Sequence, residues 1–450
     1  MYRLKQLTIL IGDLLSLYIG LYLAIFLRYL DIPSQTNINN LLGPFSGLFF
    51  IAIIIAFISG IYDLGKAKNT FALYQKIFFA AIIWTVLGVL YFYITPKTNI
   101  NPKTILALTT LCGFGLLSLW RFLYNRFVAT TILKTKIVFV GFSSEAQKIT
   151  ETITRSPQIG YEIVGIVGSP NCSTDIPCIQ NLSDLKMNPD LIVLDFNYQK
   201  NNTITKELYQ KIFQQIGIID LADFYEIIYR RLPPFTFSEN WFLTKFQEQS
   251  KKIYDRFRLL TDFIAAIFMA IFFIITFPLI AIAIKLNSRG PILFQQFRIG
   301  RNGQIFSIYK YRTMRALNSD GSAEINGPQY ATEKDNRITL IGKFLRATRL
   351  DEIPQFINIF KNEMGLIGPR PERPEFVDQL TKLMPFYALR HLVKPGLTGW
   401  AQLQSGYYGT LDENLGKLEY DLYYIKNRGP ILDIAIILKT ISVVLGMIGR

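Results

Sequence analysis

The chain has 450 residues, half of them hydrophobic, with 35 phenylalanines, a formal net charge of +15 and a positive mean hydropathy. Such a composition argues for a membrane protein of two or three domains. No basic stripe with interleaved stacking aromatics accompanies the charge, so anionic lipid and phosphorylated substrates, not nucleic acid, are the expected partners. A single histidine, His391, excludes histidine-based triads and multi-histidine metal sites and is expected to be structural.

Taken in order, residues 7–30, 45–64, 71–95 and 103–124 form apolar runs near or above the roughly 20 residues a spanning helix needs. They predict a transmembrane bundle over residues 1–130. The first run is too long for a signal peptide and lacks a small-residue cleavage pattern. Arg3 and Lys5, then Lys66 and Lys68, then Arg121, Arg126, Lys134 and Lys136 outweigh Arg28 beside Asp31, Lys97 and Lys103 on the other side. That bias puts both ends of the bundle in the cytoplasm.

From residue 134 to 225 the pattern becomes short β-branched runs separated by helical stretches. Runs at 136–141, 161–168, 191–195 and 216–220 read as buried parallel strands of a Rossmann-like α/β domain. Its first turn, Gly141-Phe142-Ser143-Ser144-Glu145-Ala146, lacks the second glycine that lets a backbone approach a pyrophosphate, which favours a structural module over a nucleotide site. Cys112, Cys172 and Cys178 have no metal-ligand spacing, and three thiols suit a reducing compartment.

Residues 226–257 form an aromatic and polar linker with Pro233-Pro234. A fifth apolar stretch, 259–286, carries Pro278 inside it and lies in a segment bounded as 258–290. Lys251, Lys252, Arg256 and Arg258 precede this stretch or stand at its start, Lys285 and Arg289 close it, and an internal proline predicts a kink. Residues 291–450 contain no run long enough to span. The apolar tail 431–448 carries Asp433 and Lys439 and reads as an interfacial helix.

Within that last domain, Arg346-Ala347-Thr348-Arg349-Leu350-Asp351-Glu352-Ile353-Pro354-Gln355 sets two adjacent carboxylates among arginines, and Gly368-Pro369-Arg370-Pro371-Glu372 follows. Carboxylates supply a nucleophile or metal ligands, and guanidinium forks clamp phosphate oxygens. Residues 353–360 have helical spacing, which makes Asp351 the expected N-cap and the segment a phosphoryl-transfer site. The plainer reading is a proline-marked helix start with structural ion pairs.

Lys310-Tyr311-Arg312-Thr313-Met314, the Asp351-Glu352 run, Gly368-Pro369-Arg370-Pro371-Glu372 and Lys394-Pro395-Gly396-Leu397-Thr398-Gly399-Trp400-Ala401-Gln402 occur in an order that closely resembles the bacterial sugar transferases. These are polyprenyl-phosphate glycosyl-1-phosphate transferases that begin exopolysaccharide and O-antigen assembly. The resemblance runs from about residue 250 to the C-terminus, and the upstream architecture is similar to the long form of the family. It implies a mainly α catalytic domain, a re-entrant membrane hairpin at 258–290 with Pro278 at its kink, and transfer of a sugar-1-phosphate from a UDP-sugar to polyprenyl phosphate with release of UMP.

The same resemblance makes Asp351 the nucleophile and pairs Glu352 with it at Mg²⁺. Arg346 and Arg370 become phosphate contacts, Lys310 a second one, and Arg312 of the same motif a further phosphate or substrate contact. Lys310 and Arg312 also read as a basic face near lipid headgroups. Glu372 reads as a site carboxylate or a salt-bridge partner, and Lys394 as a phosphate contact or part of a structural loop closed by Trp400. Location in the bacterial inner membrane, cytoplasmic soluble domains and a homodimer are further implications. Two other classes compete: a membrane-tethered nucleotide-sensing regulator or scaffold, and a membrane-anchored oxidoreductase or dehydratase. The incomplete glycine turn and the lack of a clear Tyr-x-x-x-Lys pair speak against them.

Overall fold

A computed structural model describes residues 2–65, 67–95, 103–168, 176–185, 187–195, 202–233, 241, 245–246, 251–317, 335, 337–384, 386–404 and 411–445. Lys66, Lys97, Cys172, Pro234 and the end of the tail, named above, lie outside these residues. The chain divides into two compact units, residues 1–228 and 229–450.

The first unit begins with four apolar helices: α1 (Tyr2–Tyr29), α2 (Gln35–Ile58), α3 (Phe71–Ile94) and α4 (Lys103–Leu123). Each is long and apolar enough to cross a membrane. The second starts ten residues before its expected apolar run, because the Ser34 side chain accepts the Asn37 N–H and caps a polar first turn. Helix α1 packs along α4, where Gly20 meets Gly113 so closely that a Cβ on Gly20 would lie 2.4 Å from the Gly113 Cα. Trp84 is fully buried, stacks on Phe49 and donates its indole N–H to the Leu48 carbonyl at 2.7 Å.

One ion pair sits inside this apolar packing. Arg121 of α4 donates to both oxygens of Asp13 of α1, at 3.0 and 2.5 Å, and also reaches the Ile61 carbonyl at 3.2 Å. Both side chains are almost completely buried. Removing one partner strands the other charge, so Asp13→Ala is expected to cost about 3–5 kcal/mol. A melting curve of the purified chain in detergent measures this. Pairing Asp13→Leu with Arg121→Met should recover most of the loss; equal melting of the single and double variants would count against an electrostatic tie.

After a π-helical turn at Tyr124–Ile132 the unit continues as an all-parallel five-stranded sheet. Its strands are β1 (Thr135–Val140), β2 (Tyr161–Val167), β3 (Cys178–Ile179), β4 (Leu191–Leu194) and β5 (Gly217–Asp220), in the order β3-β2-β1-β4-β5. The four predicted runs supply β1, β2, β4 and β5; β3, at two residues, carries no readable pattern. Helices α5 (Ser144–Arg155), α6 (Asn202–Phe213) and α7 (Leu221–Tyr229) complete it. Helix α7 runs past the expected boundary at 225. Cys112 is free, but Cys178 is disulfide-bonded, contrary to the expectation of three thiols.

The second unit opens with α8 (Lys252–Asn287), in which the fifth apolar stretch is one helix of 36 residues assigned without a break at Pro278. Large apolar side chains such as Phe268, Ile275 and Leu279 are exposed along it. Strands β6 (Leu293–Ile299) and β7 (Ile305–Tyr311) form an antiparallel hairpin around a turn with Asn302 and Gly303 at positive φ. Helix α9 (Leu340–Ala347), a 3₁₀ segment (Leu350–Gln355) and α10 (Phe356–Phe360) follow.

Strand β8 (Gly365–Ile367) pairs in parallel with β9 (Gly396–Thr398), which brings two of the sequence motifs together backbone to backbone. The Gly396 N–H bonds the Pro369 carbonyl at 3.0 Å, and a Cβ at Gly396 would lie 2.0 Å from the Gly368 nitrogen, so no other residue fits. Helices α11 (Pro374–Leu383), α12 (Trp400–Gln404), α13 (Leu411–Asn427) and the apolar α14 (Pro430–Leu445) surround this core.

Candidate active site

Strand β7 supplies Lys310, whose neighbour Tyr311 turns into the core beneath Phe273 and Phe277 of α8. Asn358 of α10, completely buried, locks that strand: its amide donates to the Ser307 carbonyl at 2.6 Å and to Glu363 at 2.7 Å, and its oxygen accepts the Tyr309 N–H. An asparagine amid Phe356, Ile357, Ile359 and Phe360 is costly to bury unless every polar atom is paired, and here both are.

Opposite Lys310 lies the Asp351-Glu352 pair. The expected N-cap geometry does not form. Asp351 sits inside the 3₁₀ segment, Arg349 precedes that segment in the left-handed region (φ 57°), and α10 starts only at Phe356. Pro354 explains the difference, since its ring restricts Ile353 and delays the α-helix. The carboxylates are therefore served by side-chain cations, not by helix amides.

Those cations are unevenly shared. Glu352 Oε1 takes Lys310 Nζ at 2.9 Å and Arg370 at 3.1 Å, while Arg349 approaches Oε2 at 3.9 Å. Burial alone would raise the Glu352 carboxyl, but Lys310, then Arg370 and Arg349, hold it well below the usual range. Asp351 makes no hydrogen bond or ion pair with any described residue and is 8 % exposed. Burial first, and then the Glu352 charge, push it up to about 6, against the pull of Lys310, Arg346 and Arg370. The pair thus divides into a neutralised anchor and an unengaged carboxylate.

Of the expected site residues, Asp351, Glu352, Lys310, Arg370 and Arg346 gather here. Arg346 acts on Asp351 electrostatically while its Nε donates to the Thr313 hydroxyl at 3.0 Å. Three others lie elsewhere. Arg312 is buried and donates to the carbonyls of Ser288, at 2.8 Å, and Arg289, fastening the end of α8. Glu372 is taken by Lys417 and faces Arg298 at 3.7 Å, which makes it a salt-bridge partner in this arrangement. Lys394 donates to Asn362. Arg349 and Asn358 escaped the sequence reading. The spacing of Arg349 three residues before Glu352 was the available signal for the first; the second had none beyond an amide in an apolar run.

Among the described residues no group of three or more Asp, Glu, His or Cys side chains could hold a metal. Toward the described residues, the oxygens of this pair that accept no hydrogen bond are the two of Asp351 and Oε2 of Glu352. That set fits Mg²⁺, which commonly uses one or two carboxylates and completes its shell with substrate phosphates and water.

The family model described as bacterial sugar transferase matches residues 253–447. The UDP-N-acetylgalactosamine-undecaprenyl-phosphate N-acetylgalactosaminephosphotransferase of Aeromonas hydrophila is 47% identical over 165 residues, 37% of this chain and 38% of that protein. The UDP-glucose:undecaprenyl-phosphate glucose-1-phosphate transferase of Klebsiella pneumoniae is 30% identical over 317 residues, 68% of this chain and 67% of its own. A protein of the same description from Xanthomonas campestris pv. campestris is 31% identical over 343 residues, covering 69% and 66%. The chain thus spans 38% of the first relative and about two thirds of the other two, and both longer matches extend upstream of the family model. With a continuous match across two thirds of a relative, and with the Lys310, Asp351-Glu352 and Arg370 motifs meeting at one buried cluster, the chain belongs to the bacterial sugar transferase family.

Proposed function

We propose that the protein is a phosphoglycosyl transferase of the bacterial inner membrane, moving a sugar-1-phosphate from a UDP-sugar to undecaprenyl phosphate as the first membrane step of exopolysaccharide or O-antigen synthesis. The observation that carries this reading is an unengaged buried carboxylate, Asp351, among Lys310, Arg346 and Arg370, the first and last of which a neighbouring glutamate holds in place. The relatives' named reactions supply the substrate classes.

In the first step an Asp351 oxygen attacks the sugar-bound phosphorus. The bond from that phosphorus to the bridging oxygen breaks, and UMP leaves with the electron pair. In the second an oxygen of the lipid phosphate attacks the same phosphorus and expels the Asp351 carboxylate, giving a polyprenyl-diphosphate-sugar. Neither step breaks the sugar–oxygen bond, so anomeric configuration is retained. No proton need be removed from an ionised carboxylate, in keeping with a site that contains no histidine. Arg370 and Lys310 stand where they can trade Glu352 for phosphate oxygens, and Arg346 faces the nucleophile. Mg²⁺ held by Asp351 and Glu352 Oε2 would neutralise the diphosphate. Release of UMP from a panel of UDP-sugars, strictly dependent on undecaprenyl phosphate in multiple turnover, tests the reading; no release with any donor overturns it.

The proposed topology is that of a membrane hairpin entering and leaving by the cytoplasmic face, with the active site in the cytoplasm beside nucleotide-activated donors, and with two copies associating. Basic residues at both ends of α8 support the first point, and Pro278 is where the otherwise unbroken helix would bend. Cysteines introduced at Arg256 and Arg289 should both react with an impermeant reagent only from the cytoplasmic side. Periplasmic labelling at 289 would instead make α8 a span. A nucleotide-sensing role for the parallel-sheet domain has less support. Asp195, at the end of β4, accepts the Ser143 N–H at 3.0 Å, so a carboxylate already sits at the start of α5, where a bound pyrophosphate would lie.

A further inference from the structure

Away from the Asp351 cluster, the first turns of α8, the β6–β7 turn and residues 392–394 border an open recess of about 80 Å³. Arg258, Arg301, Lys394 and Arg428 line it with Asp255 and Asp262, and Asp433 acts on Arg258 and Arg428 from beside it, which leaves one positive charge in excess. Arg428 holds Asp255, and Arg258 lies 3.9 Å from Asp262, whose other oxygen accepts the Leu366 N–H at 2.9 Å. The remaining cations are not balanced by these carboxylates. Lys394 donates to the neutral Asn362 and feels Asp262 and Asp255 only across space, and the exposed Arg301 guanidinium makes no ion pair or hydrogen bond with a described residue. Arg258, 8 % exposed, keeps a buried Nε without a hydrogen bond. Such an excess of cations in a partly desolvated recess calls for an anion.

On the α8 side one apolar side chain stands beside Asp255, Arg258 and Asp262. Leu259 lines the cavity and is 46 % exposed, and Phe263, one turn further along, is 52 % exposed, so the recess opens onto the bare apolar surface of the membrane helix. A second recess, of only about 10 Å³, shares Val393 with the first and is lined by Arg370, the arginine bonded to Glu352.

We infer that this recess binds the phosphate monoester headgroup of the polyprenyl acceptor, with the chain leaving along Leu259 and Phe263 of α8; the inference rests on the transferase reading above. A phosphate monoester carries close to two negative charges at neutral pH and a phospholipid diester one, so the monoester is drawn more strongly to these cations. Burial lowers the Lys394 ammonium, and Arg258 and Arg301 lower it further against the pull of Asp262. A dianion among them relieves that crowding. The apolar doorway selects a lipid over a free phosphate or nucleotide.

The test uses the full chain in phosphatidylcholine nanodiscs, with undecaprenyl phosphate as probe and with Arg301→Gln and Arg301→Gln/Lys394→Gln as variants. Loss of a charge-assisted contact should weaken binding about tenfold in the single variant and more in the double. The acceptor KM should rise in step, while the donor KM changes less than about twofold. Arg301 is exposed, so its replacement leaves folding intact, which an unchanged melting curve verifies. Unchanged binding in both variants overturns the site. Displacement of the probe by phosphatidylglycerol at equal mole fraction reassigns the recess to bulk anionic lipid, and equal competition by inorganic phosphate removes the role of the chain; either overturns the acceptor assignment. If no UDP-sugar supports UMP release yet binding still depends on Arg301, the transferase reading fails and the recess stands. Robust turnover with binding insensitive to both variants gives the converse.

Discussion

Asp351→Asn is expected to reduce UMP release by on the order of 10⁴-fold while raising, not lowering, the melting temperature at pH 8. The amide has nearly the shape of the acid but is a poor nucleophile, so no acyl-phosphate forms. The gain in stability follows from the same environment. Burial and the Glu352 charge raise the folded-state carboxyl from 3.8 to about 6, so the unfolded chain ionises first as pH rises. The native state then binds more protons than the unfolded one, and stability falls through that window and stays lower above it. A neutral amide removes the penalty. Wild-type protein given labelled UDP-sugar without acceptor should retain a phosphosugar labile to base or hydroxylamine, and the variant should not. Near-normal turnover in the variant, or a label mapping to another residue, would show the nucleophile to be wrongly assigned.

Much of this architecture was legible because the signals are local. Apolar runs long enough to span mark α1 to α4 and α8, and β-branched runs mark β1, β2, β4 and β5. What escaped is local chemistry that hydropathy does not register, or contacts distant in sequence. Strand β3 is too short to carry a period. The helix at Gln35 owes its start to a cap at Ser34 that hydropathy does not register, and Pro354 replaced the expected N-cap at Asp351 by a 3₁₀ turn. In the site, motif order grouped Asp351, Glu352, Lys310, Arg346 and Arg370, but it treated all basic residues nearby as equivalent. Only packing distinguishes Arg370, which faces Glu352, from Arg312, which fastens the end of α8. Glu372 belongs to the same motif as Arg370 yet points to Lys417, because residues two apart across a proline-fixed backbone need not share a face.

Glu352→Gln is expected to lower kcat/KM by about 10²- to 10³-fold and to move its acid limb downward in pH. In the wild type the free-enzyme profile should fall below about pH 6, where Asp351 takes up a proton. After burial, the Glu352 charge is the main influence holding that carboxyl up; without it, Lys310 and Arg370 lose their anion and pull on Asp351 alone. The nucleophile then ionises at lower pH but is less basic, and the cations are no longer held in place by their common anchor. Stability should change in the opposite direction to Asp351→Asn. A carboxyl whose folded-state value is depressed stabilises the native chain above its unfolded value of 4.5, so the contribution is complete at pH 8 and lost on acidification. Removing it leaves Lys310, Arg349 and Arg370 facing one another in a buried site, a loss of about 3–5 kcal/mol before Lys310 sheds its proton. An acid limb that stays near pH 6 or moves upward, or a melting temperature that rises as in Asp351→Asn, would mean that Glu352 does not hold these cations around the nucleophile.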